Sequence, residues 1–135
     1  MSTKIFINLP VKDLEKSIDF YKGLGFNFNP QFTDETAACM VISEANYVML
    51  LTHEKFAGFA PNPIADAHKQ TAALVAIACE NRSAVDGMVA KAVAGGGRTF
   101  RDPEDHGFMY GHTFQDPDGH VWEPFFMDES AIPQS

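Results

Sequence analysis

One order of elements is written twice along this chain, and that repeat narrows the possible folds more than any other feature. A strand pattern at 4–11 leads into a helix that opens at Asp13, and strand patterns follow at about 26–32, 36–43 and 46–53. The series then restarts. Residues 72–79 form a second opening strand, a helix runs from about Ser83 to Gly95-Gly96-Gly97, and strands fall near 98–101, 108–115 and 119–126. The first helix places Leu14, Ile18 and Tyr21 on one face and stops near Gly23 and Gly25. The second gathers Val85, Met88, Val89, Ala92 and Val93 on its apolar face. Landmarks coincide when the halves are laid over each other: Ile18-Asp19 over Val85-Asp86, Phe28 over Phe100, Pro30 over Pro103. The turn Ala45-Asn46 then lies over Asp118-Gly119, which sets Leu50 over Glu123.

The pattern predicts an α+β fold: two βαβββ modules forming curved mixed sheets around a cleft, eight strands with a helix on each half. The modules run 1–53 and 72–127, with a connector at 54–71 and a tail at 128–135. Pro10 suits an edge or the end of the first strand. The unbroken apolar run at 72–79 suits a strand covered on both faces. In the connector, Pro61-Asn62-Pro63 forbids a continuous helix. Phe56 and Phe59 there either cover a cleft or pack on a sheet. Met127 and Ile132 are the tail's docking candidates.

Charge excludes some partners. The chain holds 18 acidic residues against 10 Lys and Arg, and no basic cluster, so nucleic acid and anionic membrane surfaces are poor matches. No apolar run approaches the roughly 18 residues of a membrane-spanning helix. The opening residues pass directly into a strand pattern, which reads as a chain without a secretory leader. Cys39 and Cys79 sit far apart in apolar runs and read as buried free thiols of a cytoplasmic protein.

Two stretches carry a family resemblance. The first is Leu9-Pro10-Val11-Lys12-Asp13-Leu14-Glu15-Lys16-Ser17, leading to Phe20-Tyr21 and Leu24-Gly25-Phe26. The second is Asp116-Pro117-Asp118-Gly119-His120-Val121-Trp122-Glu123. Together they resemble the opening and closing signatures of the vicinal oxygen chelate superfamily, which includes glyoxalase I, bleomycin-resistance proteins and extradiol dioxygenases. The resemblance implies the fold described above and a cleft for a small molecule. It also implies metal ligands on the first and last strands of each half. Glu123 matches the last-strand glutamate. Its matched partners are Phe6, with Asn8 next on that face, Leu50, and Ala73 or Leu74. These offer no ligand beyond the Asn8 carbonyl, so no metal cofactor is expected; a divalent metal would need other ligands.

Physical reading of the residues leaves a short list. Asp116 and Asp118 belong to a tight turn that Pro117 and Gly119 permit. Glu123 and His120 point to opposite faces of a strand, so they do not form one site. Glu123 shares a face with Val121 and Phe125 and needs a partner there, or a wet cleft. It is either a general base or a structural carboxylate bonded to Asn8, Tyr110 or His112. Trp122 and Phe126 suit the face that covers a helix. His112 shares a face with Tyr110 and Phe114. His53 and His68 read as solvated loop residues, and His106 as a turn residue after Pro103-Glu104-Asp105, with a place at the cleft mouth as the lesser alternative. The candidate catalytic residues are therefore Glu123 and His112, and the candidate ligand-binding residues Phe6, Asn8, Leu50, Leu74, Tyr110 and Phe125.

The first functional expectation is a homodimeric small-molecule binding protein that sequesters its ligand in an aromatic cleft, with a degenerate metal site. The second is a lyase, isomerase or dioxygenase with a rearranged site using Glu123 and His112. The third is an interaction module that keeps the fold and binds no ligand.

Overall fold

Asp13 ends the first strand and starts the first helix with one side chain, whose carboxylate accepts from the Lys16 backbone N–H at 3.1 Å. The computed structural model describes residues 3–131. Its chain divides into two compact units, Met1–Asp66 and Ala67–Ser135. The division falls inside the predicted connector. Ile132 lies outside the described residues.

The first unit contains β1 (Ile5–Val11), α1 (Leu14–Gly23), β2 (Asn27–Asn29), β3 (Ala37–Val41), β4 (Asn46–Thr52) and α2 (His53–Phe59). Its open sheet has the order β1-β4-β3-β2, with β1 parallel to β4 and the other pairs antiparallel. Alternation sorts the side chains. Leu9, Ala38, Met40, Val48 and Leu50 are buried on the face that α1 covers, along with Leu14, Phe20 and Tyr21 from the helix. Phe6 and Tyr47 stack on the opposite face, their ring centroids 4.6 Å apart. After α1, Gly25 takes φ +103°, and the Phe26 N–H closes back on the Tyr21 carbonyl.

The second unit contains β5 (Leu74–Ala78), α3 (Arg82–Ala94), β6 (Glu104–Asp105), β7 (Met109–Gly111), β8 (Phe114–Gln115) and β9 (Val121–Met127). Its order is β5-β9-β7-β6, with β8 also on β9 and β5 parallel to β9. This is the topology of the first unit repeated, as the doubled sequence predicts. Asn81 caps α3 by accepting from the Ala84 N–H at 2.7 Å. Val85, Val89 and Ala92 are buried from the helix, and Trp122 and Phe114 from the sheet. Among the described residues no helix is long and apolar enough to cross a membrane.

Several expectations change. The predicted strand 108–115 is cut into β7 and β8 at His112 and Thr113. Pro124 stands opposite His112 and has no N–H to give; the Thr113 N–H goes instead to His112 Nδ1 at 2.9 Å. The predicted strand 98–101 shrinks to one bridge between Arg98 and Gln115. Beyond it the Thr99 hydroxyl, not a backbone N–H, bonds the Thr113 carbonyl at 2.8 Å. The connector holds the short helix α2, capped by Thr52 and ended before Pro61; Phe59 on it is exposed. The strand β5 is covered on one face only, since Leu74, Ala76 and Ala78 are exposed. Val93 is likewise exposed, at the edge of the helical stripe rather than in it. Cys39 and Cys79 are both free; Cys39 is buried, and Cys79 only half-buried.

Candidate functional site

The alternation along β9 decides which side chains share a surface. Trp122 and Pro124 are buried on the α3 side, and Trp122 lies parallel to the Phe114 ring at 6.3 Å between centroids. Glu123 and Phe125 therefore point to the open face. Across the parallel ladder they pair with Ala76 and Ala78. Both alanines are too short to fill the space above the sheet. A pocket of about 310 Å³ results, with Ala76, Met109, Phe125 and Met127 as apolar walls and Arg101, Glu104, His112 and Glu123 as polar ones.

Arg101 organises the polar side. Its guanidinium lies 3.4 Å from Glu123 and 3.6 Å from Glu104. The Glu123 side chain keeps 30% of its surface exposed, against 46% for Arg101 and 52% for Glu104, so Glu123 is the innermost of the three. Glu104 also meets His106 at 3.3 Å. One cation thus faces two carboxylates at the edge of an apolar hollow.

The turn that delivers β9 is built as the sequence predicts. Asp116 is buried and its carboxylate accepts from the N–H groups of Asp118 and His120 at 3.0 and 2.9 Å. Gly119 takes φ +90°, and a Cβ there would stand 2.8 Å from the backbone of Ala67 and His68. His68 is an exposed loop residue, as expected, and its Nε2 also lies 3.1 Å from the Pro117 carbonyl, linking the segment before β5 to the turn.

The structure brings together Glu123, His112 and Phe125 from the predicted set, as neighbours in one pocket. Tyr110 is not with them. It pairs with Phe126 on the helix side, donates its hydroxyl to Asp86 of α3 at 2.6 Å, and lies under the Arg82 guanidinium. That hydrogen bond to Asp86 raises the phenol pKa above its ordinary value. Leu74 is exposed and pairs with Val121, one step along the open face from the Glu123 position. Phe6 and Asn8 lie on the open face of the first unit, where the Asn8 amide donates to the Phe6 carbonyl at 3.3 Å. Leu50 is fully buried on the α1 side, so it lines no open surface.

That placement corrects the overlay of the two halves by one residue. Val48 and Leu50 occupy the helix-facing places of Trp122 and Pro124, and Met49 holds the place of Glu123. Met49 pairs with Asn8 as Glu123 pairs with Ala76. The one-residue slip exchanges faces, which is why a turn-based overlay chose the wrong side chain.

The family profile described as Glyoxalase/Bleomycin resistance protein/Dioxygenase superfamily matches residues 5–123. The chain belongs to this superfamily. Solved structures agree. A hypothetical protein from S. aureus is 29% identical, with a TM-score of 0.78 over 93% of this chain and 95% of that one. A glyoxalase/bleomycin resistance protein/dioxygenase family enzyme from Burkholderia phytofirmans has a TM-score of 0.76 at 17% identity, over 93% and 99% of the two chains. A glyoxalase-related enzyme from Fulvimarina pelagi reaches 0.76 at 21% identity, over 93% and 88%. The last two likenesses speak for the fold alone. No curated protein matches the sequence.

Members of this superfamily that use a metal hold it with His and Glu from the first and last strands of each half. The positions that pair across the two ladders offer few such donors. Beside Glu123 stands Ala76, and in the first unit the corresponding pair is Asn8 and Met49. Among the described residues no group of three His, Cys, Asp or Glu side chains is gathered as a metal site needs. The cation that meets Glu123 is the guanidinium of Arg101.

Sequence reasoning missed Arg101, Glu104, Met109 and Met127. A signal for Arg101 existed. Glu123 needed a partner, and the second unit offers five cations: Lys69, Arg82, Lys91, Arg98 and Arg101. Arg82 is bound to Asp105 and Arg98 to Gln115 in the structure. The expected amide, phenol and imidazole partners give way to one of these cations, Arg101.

Proposed function

We propose that this chain is a small-molecule binding protein of the glyoxalase/bleomycin-resistance kind that holds its ligand without a metal, in the pocket on the open face of β9. The single observation that carries the reading is the pairing of Glu123 with Arg101 where a metal-using site would present Glu123 to an ion. The Arg101 guanidinium already places one positive charge beside the carboxylate, and Ala76 across the ladder supplies no ligand atom. The pocket volume falls at the lower end of the roughly 300–1,000 Å³ usual for small-ligand sites. Its walls are largely apolar, with a few convergent polar groups, the composition expected of a binding cleft.

The alternative is an enzyme that uses Glu123 and His112. Its support is that both residues line the same pocket. Against it, Glu123 bonds Arg101 rather than His112, and His112 Nδ1 is taken by the Thr113 N–H. We favour binding.

The reading extends to assembly. The edge strands β1 and β5 carry exposed Ile5, Phe6 and Leu74, apolar surface that a homodimer would cover. The acidic balance argues against a nucleic-acid or anionic-membrane partner, and the two free cysteines suit a cytoplasmic protein. Thermal melts of the full chain with small planar aromatic compounds test the central reading. A rise in melting temperature that is lost on filling the pocket by Ala76→Phe supports it; compounds that act equally on both proteins contradict it. Light scattering tests the dimer.

A further inference from the structure

We propose that the β9 pocket selects a small organic cation with an apolar body, such as an amine or amidine on an aromatic frame; the inference deepens the binding reading above and rests on it. Arg101, Glu104 and Glu123 are the charged side chains of the hollow, with the His112 imidazole beside them. Arg101 carries one positive charge, Glu104 and Glu123 one negative charge each, so the lining is left with a negative excess. The two ion-pair distances, 3.4 and 3.6 Å, exceed the roughly 2.7–2.9 Å of a full charge-assisted hydrogen bond. Neither carboxylate is saturated by Arg101, and each keeps lone pairs for another donor.

Position adds to charge. Glu123 is the most enclosed of the three groups and sits beside Phe125 on the same strand face. A cation reaching Glu123 would pass the Phe125 ring, whose face attracts positive charge. Met109 and Met127 complete the wall, and their unbranched thioether chains adapt to differently shaped apolar bodies. An anionic ligand would meet two carboxylates for one guanidinium. A neutral ligand would gain the apolar contacts without the charge interaction.

Three probes with the same apolar body separate these cases: 2-phenylethylamine, 2-phenylethanol and phenylacetate. They are titrated into the full chain by calorimetry near neutral pH, with methionine methyl NMR to locate binding. The expected result is that the amine binds about fivefold tighter than the alcohol, the effect of one partly exposed ion pair, with phenylacetate weakest. The methyls of Met109 and Met127 shift, and that of buried Met40 does not. Glu123→Gln and, separately, the exposed Glu104→Gln each reduce the amine's advantage; the second variant decides the matter if the first is poorly folded. Equal binding of amine and alcohol at Met109 and Met127 would overturn the cation preference and leave the small-molecule pocket standing. Tightest binding by phenylacetate would overturn it as well. Binding of none of the three, or shifts confined to other methionines, would overturn both readings.

Discussion

The Arg101 guanidinium lies 3.4 Å from Glu123, on the open face where Ala76 is the residue across the ladder. Glu123 is thus held by an organic cation in a place that, in metal-using relatives, serves an ion. Both partners keep solvent contact, with 46% and 30% of their side-chain surface exposed, so the pair is screened. A double-mutant cycle with Arg101→Ala and Glu123→Gln should give a coupling free energy below about 1 kcal/mol, the range of exposed ion pairs. Urea unfolding of the four proteins measures it. A coupling of about 3 kcal/mol or more would mean that the pair is a buried structural element and not the polar side of an open pocket.

Gly119 and Gly87 make opposite predictions from the same substitution. An alanine Cβ at Gly119 would meet Ala67 and His68 backbone at 2.8 Å, at a φ of +90°. Gly119→Ala should therefore cost more than the roughly 1–2 kcal/mol of a left-handed alanine alone, because the backbone it strikes cannot rotate away. Gly87 lies inside α3 with no atom within 4 Å of the added Cβ. Gly87→Ala should stabilise by about 0.5–1 kcal/mol through helix propensity. Thermal melts that moved in the same direction for both would contradict the placement of the turn.

Acid should release one specific tether. The Arg82 guanidinium, followed by the Gly107 N–H, holds the Asp105 carboxyl down at about 2 from its ordinary 3.8. A depressed carboxylate contributes stability that is complete above its unfolded value and lost as pH falls through the folded one. The stability difference between the native chain and Asp105→Asn should be constant above about pH 4 and disappear towards pH 2. Urea melts across that interval test the sign. A difference that grows on acidification would contradict it.

The two-unit βαβββ fold was legible because it rests on periodicity and turn chemistry, both local. The caps at Asp13, the glycines after each helix and the Asp116–Gly119 turn all act within a few residues of themselves. Burial of Trp122, with Glu123 turned the other way, followed from alternation on one strand. Tyr110 was misplaced for a different reason. Alternation grouped it correctly with Phe114, but only the register with Phe126 and the bond to Asp86 show that this is the helix side. Leu50 failed because a one-residue error in comparing two strands reverses every face. The Arg101 partnership was the least legible. It joins residues 22 apart, through a segment whose ladder is replaced by side-chain bonds from Thr99.

Metal content of the full chain tests the central claim most directly. The chain is purified without chelator, dialysed against nickel, zinc or iron(II) and then against metal-free buffer, and analysed for each element. The account predicts substoichiometric metal in every case and the same traces in Glu123→Gln, because Arg101 and Ala76 leave Glu123 without companion ligands. One equivalent of any of these metals that survives dialysis in the native chain and is lost in Glu123→Gln would contradict it.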